Sequence, residues 1–208
     1  GKIMILHDLE QGSPEWHEAR LGIPTASEFS KILTATGGKS KQAKDFASKL
    51  LAEFITGEAV QTFQKTEWME RGNELEQEAA DAYSMVNDVD LEVVGFCTND
   101  EETYGCSPDR LVGKDGMVEI KCVAPHTQVR HLIDDHKVDT ANYVQIQGQM
   151  LVTGRKWCDW VSYCPKMPLV VVRMERDEEY LEKLEQALTD FNAKIEATKV
   201  QFKEKKYI

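Results

Sequence analysis

Cys106-Ser107-Pro108-Asp109-Arg110-Leu111-Val112-Gly113-Lys114-Asp115-Gly116-Met117-Val118-Glu119-Ile120-Lys121-Cys122 spells two short strands joined by a turn. Val112 and Met117-Val118 are apolar, and Asp115-Gly116 is a strong tight-turn dipeptide. Glu119 and Lys121 lie two apart on the second strand, so both point to one face. Folding the hairpin back brings Asp109, at the start of the first strand, opposite that face. Two carboxylates and an ammonium then meet among apolar residues. Close carboxylates repel and each is costly to desolvate; a divalent cation relieves both costs. Hard oxygen ligands suit Mg²⁺ or Mn²⁺, and a lysine beside the metal can handle a water or a developing negative charge. The pattern is short, however. Taken alone it also fits a surface hairpin whose Glu119–Lys121 pair contributes little.

Composition narrows the class. The chain has 208 residues, 41% hydrophobic, enough for one domain with a sizeable core. No apolar run approaches the roughly 18 residues a membrane span requires, and the first residues show no secretory leader pattern. The five cysteines contain no Cys-x-x-Cys and read as reduced, mostly buried thiols of an intracellular, cytoplasmic protein. A formal charge of −11 argues against a protein that coats nucleic acid non-specifically. It allows an enzyme that confines positive charge to one channel.

Outward from the hairpin, residues 13 to 20 form a short helix with Ser13 as N-cap and Pro14 in the first turn. Thr25-Ala26-Ser27-Glu28 has capping-box spacing and opens a second helix through Leu33. Such a start favours an anion, and Arg20, a natural partner of phosphate, lies just before it. Taken by itself, such a stretch is more often a capped structural helix with Arg20 in a surface pair. Residues 37 to 44 make a basic loop with Lys39, Lys41 and Lys44. A core helix follows to Gly57, and another runs from about Thr66 to Met85, whose polar side includes Glu70, Glu74, Glu76 and Glu78. One of these glutamates can reach the hairpin. Residues 91 to 98 read as a strand. Helices are expected over 127 to 134 and 141 to 153, strands over 157 to 164 and 169 to 175, and a last helix over 177 to about 199. In the 141 to 153 helix, Gln145, Gln147 and Gln149 cannot all share a face, so only one or two look at a common site. Helices around a small mixed sheet make an α/β (α+β) single domain over residues 1 to 208.

Taken together, these pieces resemble the lambda exonuclease (YqaJ-type) branch of the PD-(D/E)XK nuclease superfamily. The resemblance rests on Pro108-Asp109 followed by Glu119-Ile120-Lys121. Around that core stand Trp16-His17-Glu18-Ala19-Arg20-Leu21-Gly22, Thr25-Ala26-Ser27, Arg71-Gly72 with Glu76, Cys106-Ser107, and Gln145-Ile146-Gln147. Their order and spacing carry it. The resemblance implies a central mixed sheet flanked by helices with a restriction-endonuclease-like core. It implies a Mg²⁺-dependent 5′→3′ exonuclease, with Mn²⁺ as substitute, that degrades one strand of duplex DNA from its ends and leaves a 3′ overhang for recombination.

By the same resemblance Asp109 and Glu119 are metal ligands together with the Ile120 carbonyl. Lys121 handles the attacking water, Glu76 is a further acidic residue near the metals, and Gln145 lines the site. Arg20, Ser27 and Ser107 form a pocket for the 5′-terminal phosphate. The family also implies a ring-shaped homotrimer and a single-strand annealing protein as partner. There are departures. Where lambda exonuclease carries a further phosphate-binding arginine, this chain has Thr127, with His126 beside it and Arg130 one turn on. Trp68-Met69 fall where the relative faces the separated strands. Two other readings are a Cas4-type nuclease, which needs four spaced cysteines for an iron–sulfur cluster, and a DNA-end-binding module without catalysis.

Overall fold

The computed structural model describes residues 4–60, 67–134 and 137–208, and the backbone alone of 67–73. The elements run β1 (Ile5–His7), α1 (Pro14–Arg20), a 3₁₀ helix (Ala26–Lys31), α2 (Ala43–Thr56), α3 (Glu67–Asn87), β2 (Phe96–Thr98), β3 (Gly105–Cys106), β4 (Arg110–Val112), β5 (Gly116–Cys122), α4 (Pro125–Ile133), α5 (Thr140–Thr153), β6 (Trp157–Tyr163), β7 (Val170–Glu175) and α6 (Glu178–Glu204). Two sheets form where one was expected: antiparallel β1-β2-β3, and mixed β4-β5-β6-β7 with β5 parallel to β6.

The period-2 alternation of β5 sorts its two faces. Met117 joins the larger core cluster, while Val118 and Ile120 join a second cluster with Ala79, Ala80 and Tyr83 of α3. Glu119 and Lys121 share the face of Met117, towards α5. Helix α5 is therefore enclosed, its residues Val144 and Ile146 through Met150 all buried. A helix buried on nearly all sides needs small residues where neighbours come close. A Cβ on Gly148 would collide with the Phe29 ring and touch Ala26 of the 3₁₀ helix.

Several expectations are corrected. The first strand of the hairpin starts at Arg110, one residue after Asp109. β3 belongs to the first sheet and β4 to the second, and Ser107-Pro108-Asp109 crosses between them. Pro108 has no N–H to offer a ladder, which suits it to this break. The hairpin turn is centred on residues 113 to 115, with Gly113 left-handed at φ 53°, rather than on Asp115-Gly116. Gly116 is instead a close approach, since a Cβ there would strike the Trp157 indole.

The expected strand over 91 to 98 is also divided: Glu92 pairs with Leu111 and only Phe96–Thr98 joins the first sheet. The capping box at Thr25 does not form. The Thr25 hydroxyl accepts from Arg20, and Glu28 turns to Lys49 at 2.9 Å and Lys31 at 3.4 Å. With the box unused, the segment closes as a 3₁₀ helix six residues long. The basic loop is partly ordered by Thr34 N–H donating to Gly38 O, with Lys39, Lys41 and Lys44 exposed. β1 was not anticipated; at three residues it carries too little alternation to register.

Candidate active site

The Ser107-Pro108-Asp109 crossing is held residue by residue. Trp16 Nε1–H donates to Ser107 Oγ at 3.0 Å, Gln11 donates to the Pro108 carbonyl at 3.0 Å, and Ile120 N–H donates to Asp109 Oδ2 at 2.7 Å. The β4–β5 register, Arg110 opposite Val118, sets Asp109 beside Glu119. In a strand a residue's N–H and C=O project to the same edge. The Ile120 carbonyl therefore faces the edge at Asp109, where β4 has ended.

Glu119 is buried, with its side chain 6% exposed. Its Oε1 accepts from Lys121 Nζ and from Gln145 Nε2, both at 3.1 Å, and its Oε2 accepts from Gln149 Nε2 at 2.9 Å. Lys121 Nζ also reaches Gln145 Oε1 at 3.3 Å. Burial pushes the Asp109 carboxyl well above the usual carboxylate range, and the neighbouring Glu119 and Glu76 add to the rise; the Ile120 N–H and Lys121 oppose it. Burial works against the charge on Lys121, but Glu119 and Asp109 outweigh it and raise the ammonium pKa.

Glu76 lies on α3, on the opposite face of the sheet, within electrostatic reach of Asp109. Its Oε1 is engaged by Arg110 at 2.8 Å, and Arg110 also donates to the Asp109 carbonyl and to Gln77. Among the described residues no group of three or more His, Cys, Asp or Glu side chains is gathered closely enough to hold a metal. The oxygens that meet here are those of two carboxylates, with a backbone carbonyl at the same strand edge. That set suits a hard cation that keeps several of its waters, and positive charge there would relieve the Asp109–Glu119 repulsion.

A second cluster lies along the same crossing. Arg20 donates to Ser107 Oγ at 3.1 Å and to Thr25 Oγ1 at 3.4 Å, and its guanidinium stacks on the Trp16 ring at 4.1 Å. Burial lowers its pKa somewhat, opposed by Glu28, Cys106 and Glu53. Ser107 Oγ accepts from both Trp16 and Arg20, so its own hydrogen is free to donate outward. The adjoining cleft, about 90 Å³, is lined by Arg20, Thr25, His17 and Lys49, with Glu28 and Glu53. The hydroxyls that accept from the guanidinium and the aromatic face beneath it orient the positive charge of Arg20, while Glu28, paired with Lys49, and Glu53 bring negative charge to the same cleft.

The structure thus brings together Asp109, Glu119, Lys121 and Gln145, and separately Arg20 and Ser107. Ser27 stands exposed on the 3₁₀ helix with no hydrogen bond to either Arg20 or Ser107. Arg130 is exposed and donates to Thr127 Oγ1 at 3.4 Å, and His126 is exposed beside it. The side chains of Trp68, Met69 and Arg71 lie outside what is described, and of Gly72 only the backbone path is given. Sequence reasoning passed over Arg110, named Thr25 as a helix start and not as the acceptor for Arg20, and left open whether Gln147 or Gln149 joins Gln145. For Gln149 the signal was present in its spacing of four from Gln145.

Two sheets, an enclosed helix and a carboxylate pair at a strand edge define the fold of an alkaline exonuclease. The LHK-Exo alkaline exonuclease from Laribacter hongkongensis superposes with a TM-score of 0.83 at 31% identity, over 94% of this chain and 98% of that one. The same enzyme in complex with dAMP gives 0.84 and 32% over the same shares. A phage related exonuclease from Haemophilus somnus 129PT shares the fold at 0.65 and 16% identity, over 86% and 96%. The chain belongs to the YqaJ-like viral recombinase domain family, whose model matches residues 15–156. Among curated proteins none matches the sequence. No helix among the described residues is long and apolar enough to cross a membrane.

Proposed function

We propose that the chain, as one domain over residues 1 to 208, is a divalent-metal-dependent 5′→3′ exonuclease on duplex DNA ends. It releases 5′-mononucleotides and leaves 3′ overhangs. The observation that supports this most is the spacing of two sites on one crossing. Ser107 serves the Arg20 cluster and Asp109 serves the carboxylate pair, two residues apart.

In this reading Arg20 and Ser107 hold the terminal 5′-phosphate, with Ser27 at the rim. Asp109, Glu119 and the Ile120 carbonyl hold the metal, and Glu76 contributes charge from the far side once Arg110 releases it. Mg²⁺, or Mn²⁺ in its place, held by these oxygens would supply Lewis acidity for the scissile phosphate and a more acidic water. Lys121 orients that water or neutralises the charge that develops on the phosphate. Gln145 fixes both Lys121 and Glu119. Anchoring the end before cutting makes the reaction effectively intramolecular and gives it one polarity. That the related LHK-Exo forms a complex with dAMP agrees with a mononucleotide product.

Duplex ends are the substrate. A homotrimeric ring would gather the exposed Lys39, Lys41 and Lys44 around DNA despite the net charge of −11. A single-strand annealing protein is the partner that would use the overhang, and the site of action is cytoplasmic. Digestion of 5′-phosphorylated, 5′-hydroxyl and circular duplexes, each with Mg²⁺ and with EDTA, tests the reading. Cutting of linear duplex with Mg²⁺ alone, fastest with a 5′-phosphate, is expected. Binding without cutting, or equal attack on circles, refutes it. Light scattering at micromolar concentration reads the oligomer.

A further inference from the structure

The sequence motif accounts for one oxygen of Glu119; the other is held by a residue outside it. We infer that Gln149 is a positioning residue for the cation site. Its amide nitrogen fixes the rotation of the Glu119 carboxylate, so that one acceptor position on Oε2 faces outward. This inference rests on the metal-dependent reading above.

Four observations carry it. Gln145 and Gln149 stand one turn apart on α5 and donate to different oxygens of Glu119, at 3.1 Å to Oε1 and 2.9 Å to Oε2. An ionised carboxylate offers about four acceptor positions. Lys121 and Gln145 fill both on Oε1 and Gln149 fills one on Oε2, leaving a single position on the oxygen that Gln149 holds. Gln149 is 1% exposed, and its own Oε1 is buried with no hydrogen-bond partner among the described residues. A reversed amide would turn that oxygen onto the Glu119 carboxylate, so the orientation is fixed by the acid.

A buried unpaired acceptor destabilises a fold, and an apolar side chain of similar shape would avoid it. What glutamine adds at 149 is the N–H to Glu119. Gln147, between the two, shows the contrast: its amide donates to Glu175 O at 2.9 Å and its carbonyl accepts from Asp177 N–H at 3.0 Å, so both ends are spent on the fold. Groups that orient a metal ligand typically matter 10–100-fold to affinity.

The test compares wild type, Gln149→Met, Gln149→Leu and Gln147→Met by Mn²⁺ calorimetry. Each is also melted without metal and assayed for duplex digestion across Mn²⁺ concentrations. Gln149→Met is expected to raise the Mn²⁺ Kd by about 10–100-fold. The Mn²⁺ concentration for half-maximal cutting should rise by a similar factor, with a metal-free Tm close to wild type, because the lost bond to Glu119 and the relieved Gln149 carbonyl offset each other. Gln147→Met should lower Tm and leave Mn²⁺ affinity unchanged. A Gln149→Met protein that binds Mn²⁺ within twofold of wild type overturns the inference alone. Loss of fold in both Gln149→Met and Gln149→Leu makes Gln149 a core residue and also overturns it. A wild-type protein that binds no Mn²⁺ and cuts nothing overturns the nuclease reading itself.

Discussion

Replacing Arg20 by alanine tests the end-recognition half of the proposed function, and the structure sets its size. The guanidinium already spends two N–H groups on Ser107 and Thr25, both neutral acceptors, and stacks on Trp16. Those contacts position it; they do not distinguish one DNA end from another. The remaining donors are what a terminal phosphate would engage. A hydrogen bond to a charged group is worth about 1.5–3 kcal/mol. At about 1.36 kcal/mol per tenfold, its loss slows kcat/KM on 5′-phosphorylated duplex about 10- to 150-fold. On 5′-hydroxyl ends only the positioning is lost, and the slowing should stay within about fivefold, the scale of one neutral hydrogen bond of about 1 kcal/mol. Arg20→Lys keeps the charge but not the two-pronged fork, so it should fall between wild type and Arg20→Ala. The assay is initial rates on matched duplexes differing only in the 5′ group, at subsaturating DNA, with Tm measured on each protein. Equal slowing on both ends, or a fall in Tm that accounts for the lost rate, would make Arg20 structural and remove the phosphate pocket from the argument.

Lys121→Ala should abolish cutting while leaving duplex binding intact, because the ammonium faces Glu119 and Gln145 at the proposed metal site; a variant that still cuts near the wild-type rate rules out its role. Divalent cation should raise Tm more at pH 8 than at pH 5.5. Asp109 has a folded pKa raised above its unfolded value, so the stability its neutral form contributes is present at low pH and lost as pH rises through the folded pKa. A cation restores it there by neutralising the carboxylate, and an equal Tm gain at both pH values contradicts this. Gly148→Ala should cost about 1–3 kcal/mol by forcing the Phe29 ring off α5, seen as a Tm lower by about 3–10 °C; an unchanged Tm means the contact yields freely.

How far the sequence carried the reading depended on where the information sat. β5 was legible because Val118 to Lys121 alternate apolar and charged residues and one partner, β4, is local. So was α5, bounded by Asp139 as N-cap and Gly154 at its end. The three-residue strands were not, since β1 and β2 are defined by each other across some ninety residues and carry no period of their own. Thr25-x-x-Glu28 misled for a definite reason. Local capping competed with Arg20 and Lys49, which arrive from other elements and offer charge in place of a backbone N–H. At the site, Asp109, Glu119 and Lys121 were readable from chemistry and spacing. Arg110 was not, because its role is to engage Glu76 from a helix some thirty residues upstream. Gln149 was visible as a spacing but indistinguishable from Gln147 until the direction of each side chain was known.

The crossing from β3 to β4 has a metric consequence. Ser107 and Asp109 are separated by two residues of chain, at most about 7 Å, and all three residues of the segment are clamped from outside by Trp16, Gln11 and the Ile120 N–H. On the proposed function the segment is a ruler: one mark reads the end of the strand and the other the bond to be cut. The length of the product is then written in covalent geometry and does not depend on the base sequence passing through. One residue inserted between Ser107 and Asp109 would not merely weaken the enzyme. It would change the unit in which the enzyme counts.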